Sequence, residues 1–419
     1  MRTELSKQNL ARSLAIAMLL CSGAQGASKY KVLHSFTGGA DGDGGNALAL
    51  NSKGNVYGAS VGGGSQNCGP GGCGLIYELT PHSDGKYAFA VLYDFTGGTD
   101  AGGPISPLLL DASGNLHGTT TAGGARGGGT VFELTPGADG WTLITLYSFC
   151  NQQGCIGLPS SGVVMDPAGS LYTTSGEIDA AFGISLVSGH WKETTLHRFC
   201  AKGPPCPGGI DPFAGLILDS SGNLYGTTSY GGGEGCVEEG GCGTVYELTP
   251  EAGGKWKETI LHRFDNSGKD GSTPGNGALS IDSAGNLYGT TEVGGGAGGW
   301  GTVFRLTPGP GGHWKEALLY SFSNGASGGF PAAGVVMDEA GNLYGTTVSG
   351  GDPDCDCGVV YRLAPTRKGK WRYTVLHTFR GPEGALPVGN LAIDVKGNLY
   401  GGTVGGGAYD NGVVFELTP

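Results

Sequence analysis

The chain has 419 residues, a formal net charge of −12 and only 14% charged residues. An acidic chain without basic blocks repels phosphate backbones, which argues against nucleic acid as a partner. Gly (87) and Pro (21) together make up about a quarter of the residues, a level that signals disorder when it has no period. Here the glycines recur at a regular spacing.

Residues 1–26 read as a signal peptide. Arg2, Lys7 and Arg12 form a positive start, Leu14 to Cys21 is an apolar stretch, and Ala24 and Gly26 place small residues before a cut at Ala27. The apolar stretch is too short to span a bilayer. Leu20 stands before Cys21 where a lipoprotein anchor needs a small residue. No other apolar run reaches membrane-spanning length, so the mature chain is expected to be exported, secreted or periplasmic, and monomeric.

Residues 27–419 carry one motif seven times. The Asn position of Gly-Asn-Leu-Tyr-Gly-Thr-Thr falls at Asn55, Asn115, Ser170, Asn223, Asn286, Asn342 and Asn398, at intervals of 60, 55, 53, 63, 56 and 56 residues. Each unit holds four short β patterns. In the fourth unit these are Gly215 to Asp219, Leu224 to Thr228, Gly243 to Pro250 and Trp256 to Phe264. They are rich in β-branched and aromatic residues and bounded by Gly, Asn, Asp and Pro. Asp ends the first pattern in six units, with Asn51 in the other, and is placed to accept N–H groups of the following turn.

Tandem four-stranded units build a propeller or a linear stack. The mature chain opens with Tyr30 to Phe36, a fourth strand without its first three. It stops at Gly412 to Pro419, a third strand without its fourth. The two pieces complete one blade, which removes exposed edges only in a ring. The reading is therefore an all-β, seven-bladed propeller as a single domain over 27–419. Its blades run over 45–95, 104–149, 159–199, 212–264, 275–322, 331–379, and 387–419 with 29–36.

These residues resemble the GloVer repeat (the Gloeobacter and Verrucomicrobium repeat) of exported bacterial proteins. Gly114 to Thr120 with Gly129 to Pro136 is one copy, and Gly222 to Thr228 with Gly243 to Pro250 another. The resemblance implies a propeller at the cell envelope or outside the cell. It carries no established activity and hence no catalytic residues. Members often bear a C-terminal anchoring segment, whereas this chain stops in the last strand.

After Cys21, ten Cys fall as close pairs: Cys68/Cys73, Cys150/Cys155, Cys200/Cys206, Cys236/Cys242 and Cys355/Cys357. In an oxidising compartment such pairs read as disulfides that staple single loops. A zinc reading suits a cytosolic chain better, and the Cys-x-Cys pair also admits a redox reading. All five pairs lie in second-to-third-strand loops or inter-blade loops, which share one face of a propeller. That face is the expected binding surface.

Breaks in the repeat supply the candidate residues. In the third unit the Gly-rich loop is cut short, and Glu177 and Asp179 stand at its edge, a pair suited to glycoside hydrolysis or cation binding. His117 replaces Tyr in the second unit and is a further catalytic candidate, or else a hydrogen-bonded core residue. Trp300, unlike the five other Trp, ends a glycine loop, where an exposed indole is a stacking platform for sugars; Tyr230 and Tyr409 occupy comparable loops. Ser60, Thr120, Ser175, Thr228, Thr291, Thr347 and Thr403 repeat a hydroxyl that either rings the channel mouth or caps strand ends. His34, His197, His262 and His377 stand where other outer strands carry Tyr and read as structural. Asp41 and Asp43, and Asp352, Asp354 and Asp356, are candidate Ca²⁺ ligands, although the first loop lacks the distal Glu. No other cofactor is implied. The functional expectation is a recognition propeller that binds glycan or another extracellular partner on the stapled face. The alternatives are a carbohydrate-active hydrolase or lyase, using these acids or others in the central funnel, and a structural envelope component.

Overall fold

The computed structural model describes residues 28–419 apart from 46–47, 151–157, 204–205, 234–240, 266, 269, 276 and 297. Residues 1–26, expected to be a signal peptide, and Cys155 and Cys236 therefore lie outside the described residues. Apart from three single-turn 3₁₀ segments, the regular structure among the described residues is all strand. No helix among them is long and apolar enough to cross a membrane.

Seven antiparallel four-stranded sheets form a seven-bladed β-propeller. Within blades 1 to 6 the strands lie side by side in chain order, as in blade 4: Ile217–Leu218, Leu224–Thr228, Thr244–Glu251 and Lys255–Arg263. Blade 7 is composite. Its inner strands are Ala385–Ile393, Leu399–Gly405 and Val413–Thr418, and its outer strand is Lys29–Ser35, which pairs antiparallel with Val413–Thr418.

The core lies between blades. Leu48, Val56, Leu75 and Tyr77 of blade 1 pack on Tyr400 and Val414 of blade 7, so the closing seam is as apolar as the others. Each outer strand ends at or next to a buried Phe: Phe36, Phe95, Phe149, Phe199, Phe264, Phe322 and Phe379. Burying such a ring contributes about 2–3 kcal/mol. In six blades the N–H of that Phe also donates to the residue just before the third strand (Gly412, Gly74, Asp179, Gly243, Gly301 and Gly358), so apolar anchor and backbone bond fall at one point.

The hairpin after each first strand has the expected chemistry. Asp219 Oδ1 accepts the N–H groups of Ser221 and Asn223, while its Oδ2 accepts Asn223 Nδ2 and Tyr225 Oη. Burial pushes this carboxyl up, but the hydrogen bonds outweigh it and hold the group below its ordinary range. Asp282, Asp338 and Asp394 repeat the arrangement.

The innermost strands approach backbone to backbone. A Cβ at Gly277 would lie 1.7 Å from Gly334 N, and one at Gly334 would lie 2.1 Å from Ala278 O. Glycine is required at this contact between blades 5 and 6.

Candidate functional site at the loop face

The loops between second and third strands rest on the preceding inter-blade loops through a repeated bond: Gly64 N to Gly39 O, Gly124 N to Gly98 O, Gly232 N to Cys206 O, Gly295 N to Asp270 O, Gly351 N to Gly325 O and Gly407 N to Gly381 O. Both loop classes thus share one face. Disulfides Cys68–Cys73, Cys200–Cys206 and Cys355–Cys357 staple it. The partners expected for Cys150 and Cys242 are outside the described residues.

At the centre of this face is a cavity of about 180 Å³, lined by Ile105, Pro107, Ser160, Ser161, Phe213 and Asn390 among others. None of the described lining residues is titratable. Exposed apolar side chains also stand on this face. Val61 follows a second strand and Val404 lies near the end of one, Phe213 precedes a first strand and Leu386 lies at the start of one, and Tyr409 tips the loop of blade 7. Tyr409 is 60% exposed and Phe213 44%. Among the described residues, five of the ten exposed large apolar side chains therefore belong to the loop face, and Phe213 also lines the cavity.

The shortened loop of blade 3 does leave space, and Phe213 fills it: a Cβ on Gly176 would lie 2.5 Å from its ring. Glu177 is exposed, whereas Asp179 is partly buried and accepts the N–H of Asp211 at 2.8 Å. Burial raises the Asp179 carboxyl above its ordinary range, partly offset by that bond. The two acids thus occupy different environments, one free and one fixed in a blade junction.

His117 is buried, with Nε2 3.2 Å from Asp111 Oδ2, the contact that Tyr172, Tyr225, Tyr288, Tyr344 and Tyr400 make through their hydroxyls in other blades. Trp300 is half-buried and packs edge-on to Phe330, ring centroids 4.8 Å apart. Tyr230 is half-buried, and its backbone bridges to Ile210. The repeated hydroxyls are all buried. Thr120, Thr228 and Thr291 bond to a third-strand Thr, and Thr347 and Thr403 accept third-strand N–H groups. Ser60 binds both backbone groups of Asp43, while Ser175 Oγ has no partner.

The acidic loops are internally bonded. Asp41 accepts from Thr37 N and contacts His34, and Asp43 accepts Gly62 N. Asp352 pairs with Arg380, Asp356 accepts from Gly350 N and Ser349 Oγ, and Asp354 is exposed. Among the described residues no three His, Cys, Asp or Glu side chains converge as a metal set. The outer-strand histidines bridge blades: His34 stacks on Phe89, His377 on Tyr30, and His197 faces Glu258. The exposed apolar residues Val61, Phe213, Leu386 and Val404 of this face carry no signal in the sequence, because the repeat shows which positions vary but not which are uncovered.

Residues 23–238 and 236–419 match the model of the Gloeobacter/Verrucomicrobia repeat. No curated protein matches the chain. Among solved structures, the chain is similar to a catalytically inactive variant of virginiamycin B lyase from Staphylococcus aureus with quinupristin (15% identity, TM-score 0.56, covering 94% of this chain and 99% of that one). It is similar to a streptogramin B lyase (14%, 0.54, 93% and 97%) and to a protein from Lactobacillus plantarum (14%, 0.51, 85% and 87%). Identities this low speak to the fold alone.

Proposed function

The chain belongs to the Gloeobacter/Verrucomicrobia repeat family, and from that premise we propose that it is an exported recognition propeller that binds glycan at the mouth of its stapled loop face. The observation that carries this reading is the set of exposed apolar side chains Val61, Phe213, Leu386, Val404 and Tyr409 on that face, with Phe213 lining a central cavity whose described lining has no titratable group. Exposed aromatic rings, Phe213 on the loop bridged by Cys200–Cys206 and Tyr409 on the loop of blade 7, offer apolar faces to pyranose rings. Export is supported by the charged and apolar pattern of residues 1–26 and by the disulfides, which persist outside the reducing cytosol.

The test is retention of the mature protein on a panel of insoluble polysaccharides, with the supernatant assayed for new oligosaccharides. Retention without products, weakened in Tyr409→Ala and Phe213→Ser, is the expected result. Product release lost in Glu177→Gln would replace the binder with a hydrolase or lyase. No retention on any polysaccharide would move the reading to a protein partner or a structural role.

A further inference from the structure

We propose a second binding site on the opposite, hairpin face: a continuous groove across blades 4 to 7 that takes an extended chain of neutral polysaccharide along Trp314 and Trp371, with Arg305 as its principal hydrogen-bond donor. Three inter-blade depressions, of about 410, 750 and 460 Å³, follow one another there. The first two share Ile281, Asp282 and Ser283 as a wall, and the second and third share Met337 to Ala340. They therefore form one run whose repeat follows the blades, a shape that suits a linear polymer better than a compact ligand.

Two of the walls are aromatic. Pro308 pairs across its hairpin with Trp314, and Pro365 with Trp371. Trp371 also meets Tyr288 of the preceding blade edge-on at 6.3 Å, which fixes the indole at the groove margin. A rigid indole beside a proline ring presents the flat apolar surface on which a pyranose face rests.

Arg305 breaks the repeat. Opposite the second-strand Tyr or His, blades 1, 2, 4 and 7 carry Glu78, Glu133, Glu247 and Glu416, and blades 5 and 6 carry Arg305 and Arg362. Glu78, Glu247 and Glu416 accept hydrogen bonds from Asn55, Tyr225 and Tyr400 of their own blades. Arg305 lines the largest depression, forms no ion pair among the described residues, and has a buried Nε without a partner. A guanidinium offers five donors and no acceptor, so its terminal N–H groups, rather than the buried Nε, suit the hydroxyl and ring oxygens of a sugar chain.

Charge decides against a polyanion. Asp219, Asp282, Asp338, Glu339 and Asp394 line the run against Arg305 and Lys396. The four aspartates are already saturated by their own turns, so they repel anions without needing a ligand cation.

Affinity electrophoresis of the mature protein in gels containing mixed-linkage β-glucan, galactomannan or polygalacturonate tests the proposal. Retardation in at least one neutral gel and none in polygalacturonate is expected. Arg305→Glu, a residue that four other blades accept at this position, should weaken binding about tenfold with an unchanged melting temperature. Ala340→Trp, on the exposed turn shared by two depressions, should block the run without touching the core. Tyr409→Ala should leave this retardation intact, which separates it from the loop-face site. The proposal is overturned by no retardation in either neutral gel, by retardation in polygalacturonate alone, or by wild-type binding in both groove variants.

Discussion

The backbone N–H of Asp211 donates to the carboxylate of Asp179 at 2.8 Å across the boundary between blades 3 and 4. At five other boundaries the corresponding N–H finds a main-chain carbonyl: Gly44 to Asn411, Gly103 to Cys73, Thr273 to Cys242, Phe330 to Trp300 and Leu386 to Cys357. Blade 3 has lost the loop that supplies this carbonyl, and a side chain takes its place. Asp179 pays for this with φ +49°, at the position where other blades carry Gly74, Gly243, Gly301, Gly358 or Gly412.

Asp179→Ala should therefore destabilise the propeller by about 1–3 kcal/mol, because the Asp211 N–H is left without an acceptor. Asp179→Asn keeps an acceptor oxygen and should cost less than about 1 kcal/mol. Urea unfolding of the two variants checks this. Equal losses in both would mean that the charge matters more than the hydrogen bond.

His117→Tyr should leave stability unchanged or raise it by up to about 1 kcal/mol. The imidazole reaches Asp111 through Nε2, but its Nδ1 is buried without a partner. A tyrosine hydroxyl makes the Asp contact in five other blades and leaves no orphan nitrogen. A melting temperature lowered by several degrees would show that the histidine holds the blade in a way the contact with Asp111 does not capture.

The ring was legible because its determinants are local and repeated. Asp219, Gly222 and Asn223 encode a turn by short-range hydrogen bonds, and the split blade at Tyr30 and Phe415 follows from counting strands. The shared face of the Cys-rich loops was legible for the same reason. What the residues about Trp300 and Glu177 do was not, since it depends on neighbours distant in sequence: Phe330 covers the indole, and Phe213 fills the space beside Gly176. The Arg305 substitution was visible in principle by aligning the third strands, but its significance rests on the groove that the next blade completes.

Replacing Cys68 and Cys73 together by Ser should preserve the propeller and cost about 2 kcal/mol, the chain-entropy value for so short a loop. Cys73 is buried next to Gly97 and Gly102 of the adjoining inter-blade loop, so the loss should be local. Native-state hydrogen exchange should quicken in 61–74 and 97–103 and stay unchanged in strands of distant blades. Global loss of protection would instead make the bridge a determinant of the whole ring.

Glu316, on the outer strand Trp314–Ser321 of blade 5, should make the seam with blade 4 sensitive to pH. Burial, and then the charge of Asp270, push its carboxyl from 4.5 to about 7 against the pull of His262, and its Oε1 is buried without a partner. Beside it His262 Nε2 lies 3.0 Å from Asp270 Oδ2. The folded protein holds this proton to higher pH than the unfolded chain does. The contribution of Glu316 to stability is therefore most favourable below pH 4.5, falls as pH rises to about 7, and is constant above. Glu316→Gln is neutral throughout, so its advantage over the wild type should grow across that window to about 1 kcal/mol, a value reduced for solvent at this half-exposed site. Urea midpoints for both proteins at pH 4.5 and pH 8 measure the difference. An advantage that is the same at both pH values would mean that the carboxyl does not titrate in this range and that the seam is held by packing alone.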